Sequence, residues 1–317
     1  MRFFAALAAF SFAGLAQTPP APAPPGPEPA AVERQLETGH CKEAFPRAKG
    51  AYARAVDKDL KRRLGAGAVR CAMTLNQVNA AADFVALLKR DFPQDPDILY
   101  LTVHTYSDLS LRASQSLLFS HPDAYQVHQL NAEALETQGK WDEAAEEYRV
   151  VLQKNPNLPG LHYRLGRVIL SKPETPATRE EAKKEFEDEL RINPSNAGAE
   201  FVLAELARQA DKLPEAVERF TRASKLDVMF ADAYIGLGRS LLSMERAGEA
   251  VTALEQAAKL QPANPTVHYL LANAYRRAGR PADAARETQA HRETSEKARE
   301  TTDELKKAVS GTTGKSQ

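Results

Sequence analysis

Apolar residues along most of this chain recur every three or four positions, the spacing that gathers them on one face of an α-helix. The phrase NAEALETQGKWDEAAEEYRVVLQKNPN, residues 131 to 157, shows the arrangement compactly. Two apolar stripes flank Gly139, and an Asn-Pro pair ends the second stripe. Each stripe predicts one amphipathic helix, so the phrase predicts a helical hairpin closed by a proline.

The hairpin repeats. Its unit runs from Tyr125 to Leu158, 34 residues, with small residues Ala132 and Ala144, aromatics Trp141 and Tyr148, and the helix-ending Pro156. The next unit, Pro159 to Asn196, carries Leu165, Gly166, Ala182, Phe186 and Pro194, and is lengthened by four residues in LSKPETPATREEA, where two prolines force a longer turn. Two further units of 34 residues follow, Ala197 to Phe230 with Leu203, Ala204, Ala216, Phe220 and Ala223, and Ala231 to Asn264 with Leu237, Gly238, Ala250, Leu254, Ala257 and Pro262. A fifth opens at Pro265 with Leu271, Ala272, Tyr275, Gly279 and Ala284, then passes into a long polar helical stretch.

These positions resemble the tetratricopeptide repeat, in which Trp-x-x-Leu-Gly-x-x-Tyr marks the first helix, Ala and an aromatic mark the second, and Pro ends the unit. The resemblance covers residues 125 to 290 and gains its specificity from five units in register. The chain departs from the pattern in holding His128, His162 and His268 at position four in place of Trp, and Val228 in place of the usual Pro. The resemblance implies an all-α fold, a right-handed superhelical solenoid of antiparallel helix pairs. Stacking is required because one unit alone leaves an apolar face exposed, which its neighbour buries.

Upstream, residues 32–124 read as about three degenerate units. LETGHCKEAF imitates the Gly turn, VRCAMTLNQVNAAADFVALLKRDFPQDP reads as a hairpin, and DILYLTVHTYSDLSLRASQSLLFSHPD as a shorter one. The expected domain order is a signal peptide over 1–16, a Pro/Ala-rich linker over 17–31, the degenerate repeats over 32–124, the clear array over 125–290, a capping helix over 291–309 and a disordered tail over 310–317. The leader assignment rests on Arg2, the uncharged stretch Phe3 to Ala16, and small residues at Gly14 and Ala16, with Gln17 as the expected new N-terminus. About 14 apolar residues fall short of the roughly 20 that span a membrane, so no transmembrane helix is expected in the mature chain. Export to the periplasm follows, and with it a disulfide between Cys41 and Cys71, the only two cysteines, as the alternative to two packed free thiols.

Composition narrows the function. Lys plus Arg (42) balances Asp plus Glu (42), so no overall positive field favours nucleic acid. No His-Glu-x-x-His, Gly-rich phosphate loop or Gly-x-Ser-x-Gly occurs, no cofactor is called for, and the repeats consume nearly all the length, so no catalytic residues are expected. His128 and His162 occupy one position in adjacent units, but helices about 8 to 10 Å apart do not bring two imidazoles within about 2 Å of one zinc ion, so packing or groove lining is expected and no metal site. His40 beside Cys41 lacks the third, orienting group a nucleophilic site needs.

In the family resembled, positions two, five, nine and twelve of each first helix face a concave groove. Transferred here, the groove holds Gln126, Gln129, Glu133 and Glu136, then Gly160, Tyr163, Arg167 and Leu170, then Gly198, Phe201, Glu205 and Arg208. Asp232, Ile235, Arg239 and Leu242 continue it, followed by Thr266, Tyr269, Asn273 and Arg276. An acidic entry gives way to arginines and aromatics, which suit an extended acidic segment of a partner protein; the bland alternative is that they solvate the inner wall. The Lys and Asn set of the family's chaperone-tail clamp is not in register here. The expected function is a noncatalytic protein-interaction scaffold of the bacterial cell envelope. The alternative is a periplasmic solenoid supporting polysaccharide export or cell-wall remodelling, which exposed aromatics would favour.

Overall fold

The computed structural model describes residues 28–313, so the leader, the linker up to residue 27 and the last four residues of the expected tail lie outside the described residues. Among the described residues there are fifteen helices and no strand. The chain divides after Ser116 into two compact units.

The first unit contains α1 (Pro29–Glu37), α2 (Cys41–Arg54), α3 (Lys58–Thr74), α4 (Val78–Asp91) and most of α5 (Pro96–Ser120). Helix α1 starts at Pro29, three residues inside the stretch assigned to the linker, with the proline in the first turn where its missing N–H costs nothing. Val32, Leu36, Ala48, Tyr52, Leu64, Val69, Phe84 and Leu88 form the core of this unit. Cys41, at the start of α2, is bonded to Cys71 of α3. Tyr52 donates to Asp91 at 3.0 Å while Lys61 pairs with Asp91 at 2.9 Å, tying α2, α3 and α4 at one end. Arg90, Lys61 and Tyr52 all hydrogen-bond the Asp91 carboxyl and hold it well below the usual carboxylate range.

The segment expected to form a short hairpin over 97–123 is instead one helix, α5, of 25 residues. No Gly or Pro interrupts it between Pro96 and Pro122, so nothing in the backbone chemistry forces the expected turn.

The second unit holds the end of α5 and ten further helices in five hairpins: α6 (Tyr125–Thr137) with α7 (Trp141–Lys154), α8 (Leu161–Leu170) with α9 (Pro176–Ile192), α10 (Ala197–Gln209) with α11 (Leu213–Leu226), α12 (Ala231–Ser243) with α13 (Ala247–Leu260), and α14 (Pro265–Arg277) with α15 (Pro281–Thr313). Each helix packs on its hairpin partner and on the next helix in the chain, the neighbour-only order of a helical solenoid. Helix α15 joins the second helix of the fifth hairpin, the expected cap and the start of the expected tail in one unbroken element of 33 residues.

One turn closes six of the seven hairpins. Gly39, Asn76, Gly139, Asp211, Glu245 and Gly279 each have positive φ, and the next amide bonds back to the carbonyl five residues before it, as in Lys140 to Leu135 (3.0 Å) and Arg246 to Leu241 (2.9 Å). The turn therefore recurs in both compact units, including the hairpins whose sequence register is weakest. Helix α8 to α9 is the exception. There the inserted prolines replace the tight turn, and Thr175 opens α9 with a capping box to Thr178, followed by Pro176.

Small residues set how closely the helices approach. A Cβ built on Gly166 would lie 2.9 Å from the ring of Phe186, and one on Gly236 would lie 2.4 Å from Phe220. Both phenylalanines are fully buried, so each glycine is the hole that its aromatic knob fills.

Candidate functional site

Helices α6, α8, α10, α12 and α14 carry the predicted groove residues at equivalent positions, and the structure sorts them into three groups. The first group is already engaged. Gln129 donates to Glu133 at 3.2 Å, Glu133 in turn pairs with Arg164 of the next hairpin at 3.1 Å, and Arg208 makes two hydrogen bonds to Glu205 on its own helix. The acidic entry thus neutralises a cation from the neighbouring unit.

The second group packs. Phe201 stands edge-on to Phe220 (5.7 Å between ring centroids) and tilted against Phe230 (4.8 Å), and Tyr163 stands edge-on to Phe186 at 5.6 Å. Tyr163 also fills the space beside Gly198, where a Cβ would come within 2.9 Å of its hydroxyl. Ile235 and Leu242 are buried in the core shared by α12, α13 and α14. These residues hold adjacent hairpins together and present little free surface.

The third group is open. Arg167, Arg239 and Arg276 have no ion-pair partner among the described residues, and Tyr269 is 53% exposed with one face against His291. Arg167 lines a recess with Glu136, Thr137 and Trp141 of the preceding hairpin. Asn273 lies one helical turn beyond Tyr269 on α14, half-buried. The unengaged cationic set therefore comprises three arginines on three different first helices, accompanied by one accessible aromatic ring.

The position-four histidines have a role that the sequence reading left unassigned. His128 Nδ1 lies 2.7 Å from Glu147, His162 Nδ1 2.6 Å from Glu185, and His268 Nδ1 2.7 Å from Glu287, in each case joining the first helix of a hairpin to its second. In the third hairpin the same place holds Glu200, 5% exposed, paired with Arg219 at 3.2 Å, so the tie survives with its charges exchanged. In the fourth, Tyr234 and Ala253 stand there, no tie forms, and a recess of about 360 Å³ opens beside Val217, Leu237 and Leu241. The signal was legible: a carboxylate stands 19 residues after His128 and after His268, and 23 after His162, whose hairpin carries the four-residue insertion.

His162, Glu185 and Asp188 bring ligand atoms within 4.8 Å of one another. Lys184 and Arg191 line the same recess and Arg191 pairs with Asp188, so cations of the chain itself already compensate these carboxylates.

The sequence reading also missed a recess of about 510 Å³ in the first compact unit, between α1, α3 and α5, where Arg62, Arg63, Arg70, Tyr100 and His104 meet Ile98 and Leu101. Arg62 pairs there with Asp97 at 2.7 Å and Arg63 with the buried Glu33 at 2.6 Å, while Arg70 has no ion-pair partner among the described residues. The degenerate sequence of this unit concealed which residues would meet.

A family model for the tetratricopeptide repeat matches residues 107–159 and 235–292. Among solved structures, the chain is similar to a MamA protein at 22% identity and a TM-score of 0.50, over 56% of this chain and 94% of that one. A MamA RS-1 double mutant gives 17% identity and a TM-score of 0.50 over 55% and 96%. YrrB, described as a TPR protein with an unusual peptide-binding site, gives 18% identity and a TM-score of 0.49 over 57% and 92%. No curated protein matches the sequence. With the family model matching two stretches of the chain, five hairpins in one register and the same left-handed turn closing every hairpin but one, the chain is a tetratricopeptide repeat protein.

Proposed function

We propose that this protein is a noncatalytic scaffold that holds an extended acidic segment of a partner protein along the first helices of its array. The observation that carries the reading is the set of arginines Arg167, Arg239 and Arg276, which recur on α8, α12 and α14 and have no carboxylate of their own among the described residues. A guanidinium offers five donors in a planar fork that matches a carboxylate, and cations repeated on successive helices suit a chain with repeated anions. Tyr269, exposed on the same helix as Arg276, offers flat apolar area at little cost in side-chain entropy.

The setting proposed is the bacterial cell envelope. Two features support it: the leader-like pattern from Arg2 to Ala16, and the bond between Cys41 and Cys71, a pairing that persists in oxidising compartments. No helix among the described residues is long and apolar enough to cross a membrane.

Capture of partners from an envelope extract, followed by affinity measurement on the wild type and on a protein with Arg167, Arg208, Arg239 and Arg276 all changed to Ala, tests the reading. Binding should weaken in the variant and, for the wild type, with rising salt. Unchanged affinity without salt dependence would overturn it. A second reading, contact with a polysaccharide, is favoured by Tyr100 and Tyr106, both exposed on α5, with Tyr100 lying 4.2 Å from the ring of His104. Loss of glycan binding on changing both tyrosines to Ala would support it.

A further inference from the structure

In the last hairpin the imidazole of His268 stands between two acceptors. Nδ1 lies 2.7 Å from a carboxylate oxygen of Glu287 on α15, and Nε2 lies 2.9 Å from the carbonyl oxygen of Pro262, in the turn that leads from α13 into α14. A neutral imidazole has one N–H and can donate to only one of them; the imidazolium has two and satisfies both. The side chain is 12% exposed, so water is poorly placed to replace a missing bond. His128 and His162, at the same position of earlier hairpins, also meet a glutamate through Nδ1, but neither ring makes a second hydrogen bond among the described residues, the Asp188 carboxylate near His162 lying within 4.8 Å without one.

We propose that His268 is a proton-operated clamp. Protonated, it ties α14 at once to α15 and to the turn before α14; on losing the proton it must release one of them. Helix α14 also carries Tyr269, Asn273 and Arg276, so the clamp sets how firmly the last stretch of the groove is held. That consequence for binding rests on the function proposed above, whereas the clamp itself does not.

The surroundings supply a consistent sign. Of the elements packed on α14, α15 brings Glu287 against the imidazole, and α12 and α13 bring no charged group into hydrogen-bond or ion-pair contact with it among the described residues. One turn further along α15, His291 Nδ1 bonds the carbonyl of Pro265 at 2.9 Å, so a second imidazole grips the far end of the same turn. Burial alone disfavours the charged form of His268, but the hydrogen bond to Glu287, the Pro262 carbonyl and the Glu287 charge together outweigh it and raise its pKa. A raised folded-state pKa means that the stabilisation is fully present below the ordinary histidine value of about 6.5 and is lost as pH rises through the raised value.

The test uses the full chain without a partner, so it fails or succeeds independently of the binding proposal. The His268 titration is followed by NMR, and heat unfolding is followed from pH 5.5 to 9, for wild type, His268→Asn and Glu287→Gln. The proposal expects a titration midpoint above that of an exposed histidine, lowered in Glu287→Gln. It also expects the opening equilibrium of the last hairpin to rise with pH by at most about tenfold per pH unit, the limit for one proton. That dependence should flatten in both variants, which should remain helical at pH 5.5. A wild-type midpoint that Glu287→Gln leaves in place, or the same pH dependence in His268→Asn as in wild type, would overturn the clamp.

Discussion

Glu189 of α9 receives the backbone N–H of Gly160 on both carboxylate oxygens, at 2.9 and 3.0 Å, and is itself fully buried. Gly160 is the residue before α8 and has φ +83°, so the carboxylate sits at the N-terminus of that helix, where amides lack partners and the helix dipole favours an anion. Asn196, leading into α10, donates to the same carboxylate at 3.1 Å. One side chain thereby joins three helices at the end of the hairpin opposite its Pro-containing turn.

Glu189→Ala leaves the half-buried Gly160 and Asn196 amides without this acceptor and should destabilise the protein by about 1 to 3 kcal/mol. Chemical denaturation read by circular dichroism checks this. A loss below about 0.5 kcal/mol would show that the carboxylate is not holding the junction.

The Cys41–Cys71 bond closes a loop with a sequence separation of 30 in the first compact unit. Changing both to Ala should cost about 3 kcal/mol through the freer unfolded chain. Thiol counting on denatured protein isolated without reductant should find none, and two reactive thiols would rule out the bond.

Gly236 and Gly248 should respond to Ala with opposite signs. At Gly236 the added carbon meets the buried ring of Phe220 at 2.4 Å, an overpacking that costs about 1 to 3 kcal/mol. At Gly248, in the first turn of α13, nothing lies within 4 Å, and Ala should stabilise by up to about 1 kcal/mol through its better helix propensity. Melting temperatures that shift in the same direction for both would contradict the packing described.

Phe201 and Tyr269, both expected on sequence grounds to line the groove, should separate experimentally. Phe201→Ala removes a ring packed on Phe220 and Phe230 and should cost about 3 kcal/mol of stability. Tyr269→Ala, at a half-exposed position, should change stability by about 0.5 kcal/mol or less while lowering affinity for a partner. Equal stability losses at the two sites would show that Tyr269 is also a packing residue.

The periodicity of the chain determined the element type, the hairpin length and the five-unit register, because an amphipathic stripe and a breaking residue act within a few positions of themselves. Gly139 and Gly279 announced their turns in the same local way, and Trp141, Ala144 and Tyr148 their core places. The segment 97–123 shows the limit of extrapolating a unit length: without a breaker after Pro96, the backbone continues as one helix to Ser120 whatever the repeat suggests. Which face of a helix a residue occupies is local, but what meets that face is not. Position five held Tyr163, Phe201 and Tyr269 alike in sequence, yet Tyr163 and Phe201 have buried phenylalanines against them, whereas Tyr269 has the His291 ring beside it and is half exposed. The Glu189 junction and the three unpaired arginines were likewise decided by tertiary structure. Each depends on the distance between side chains on separate helices, which the packing of neighbouring hairpins sets and no local pattern encodes.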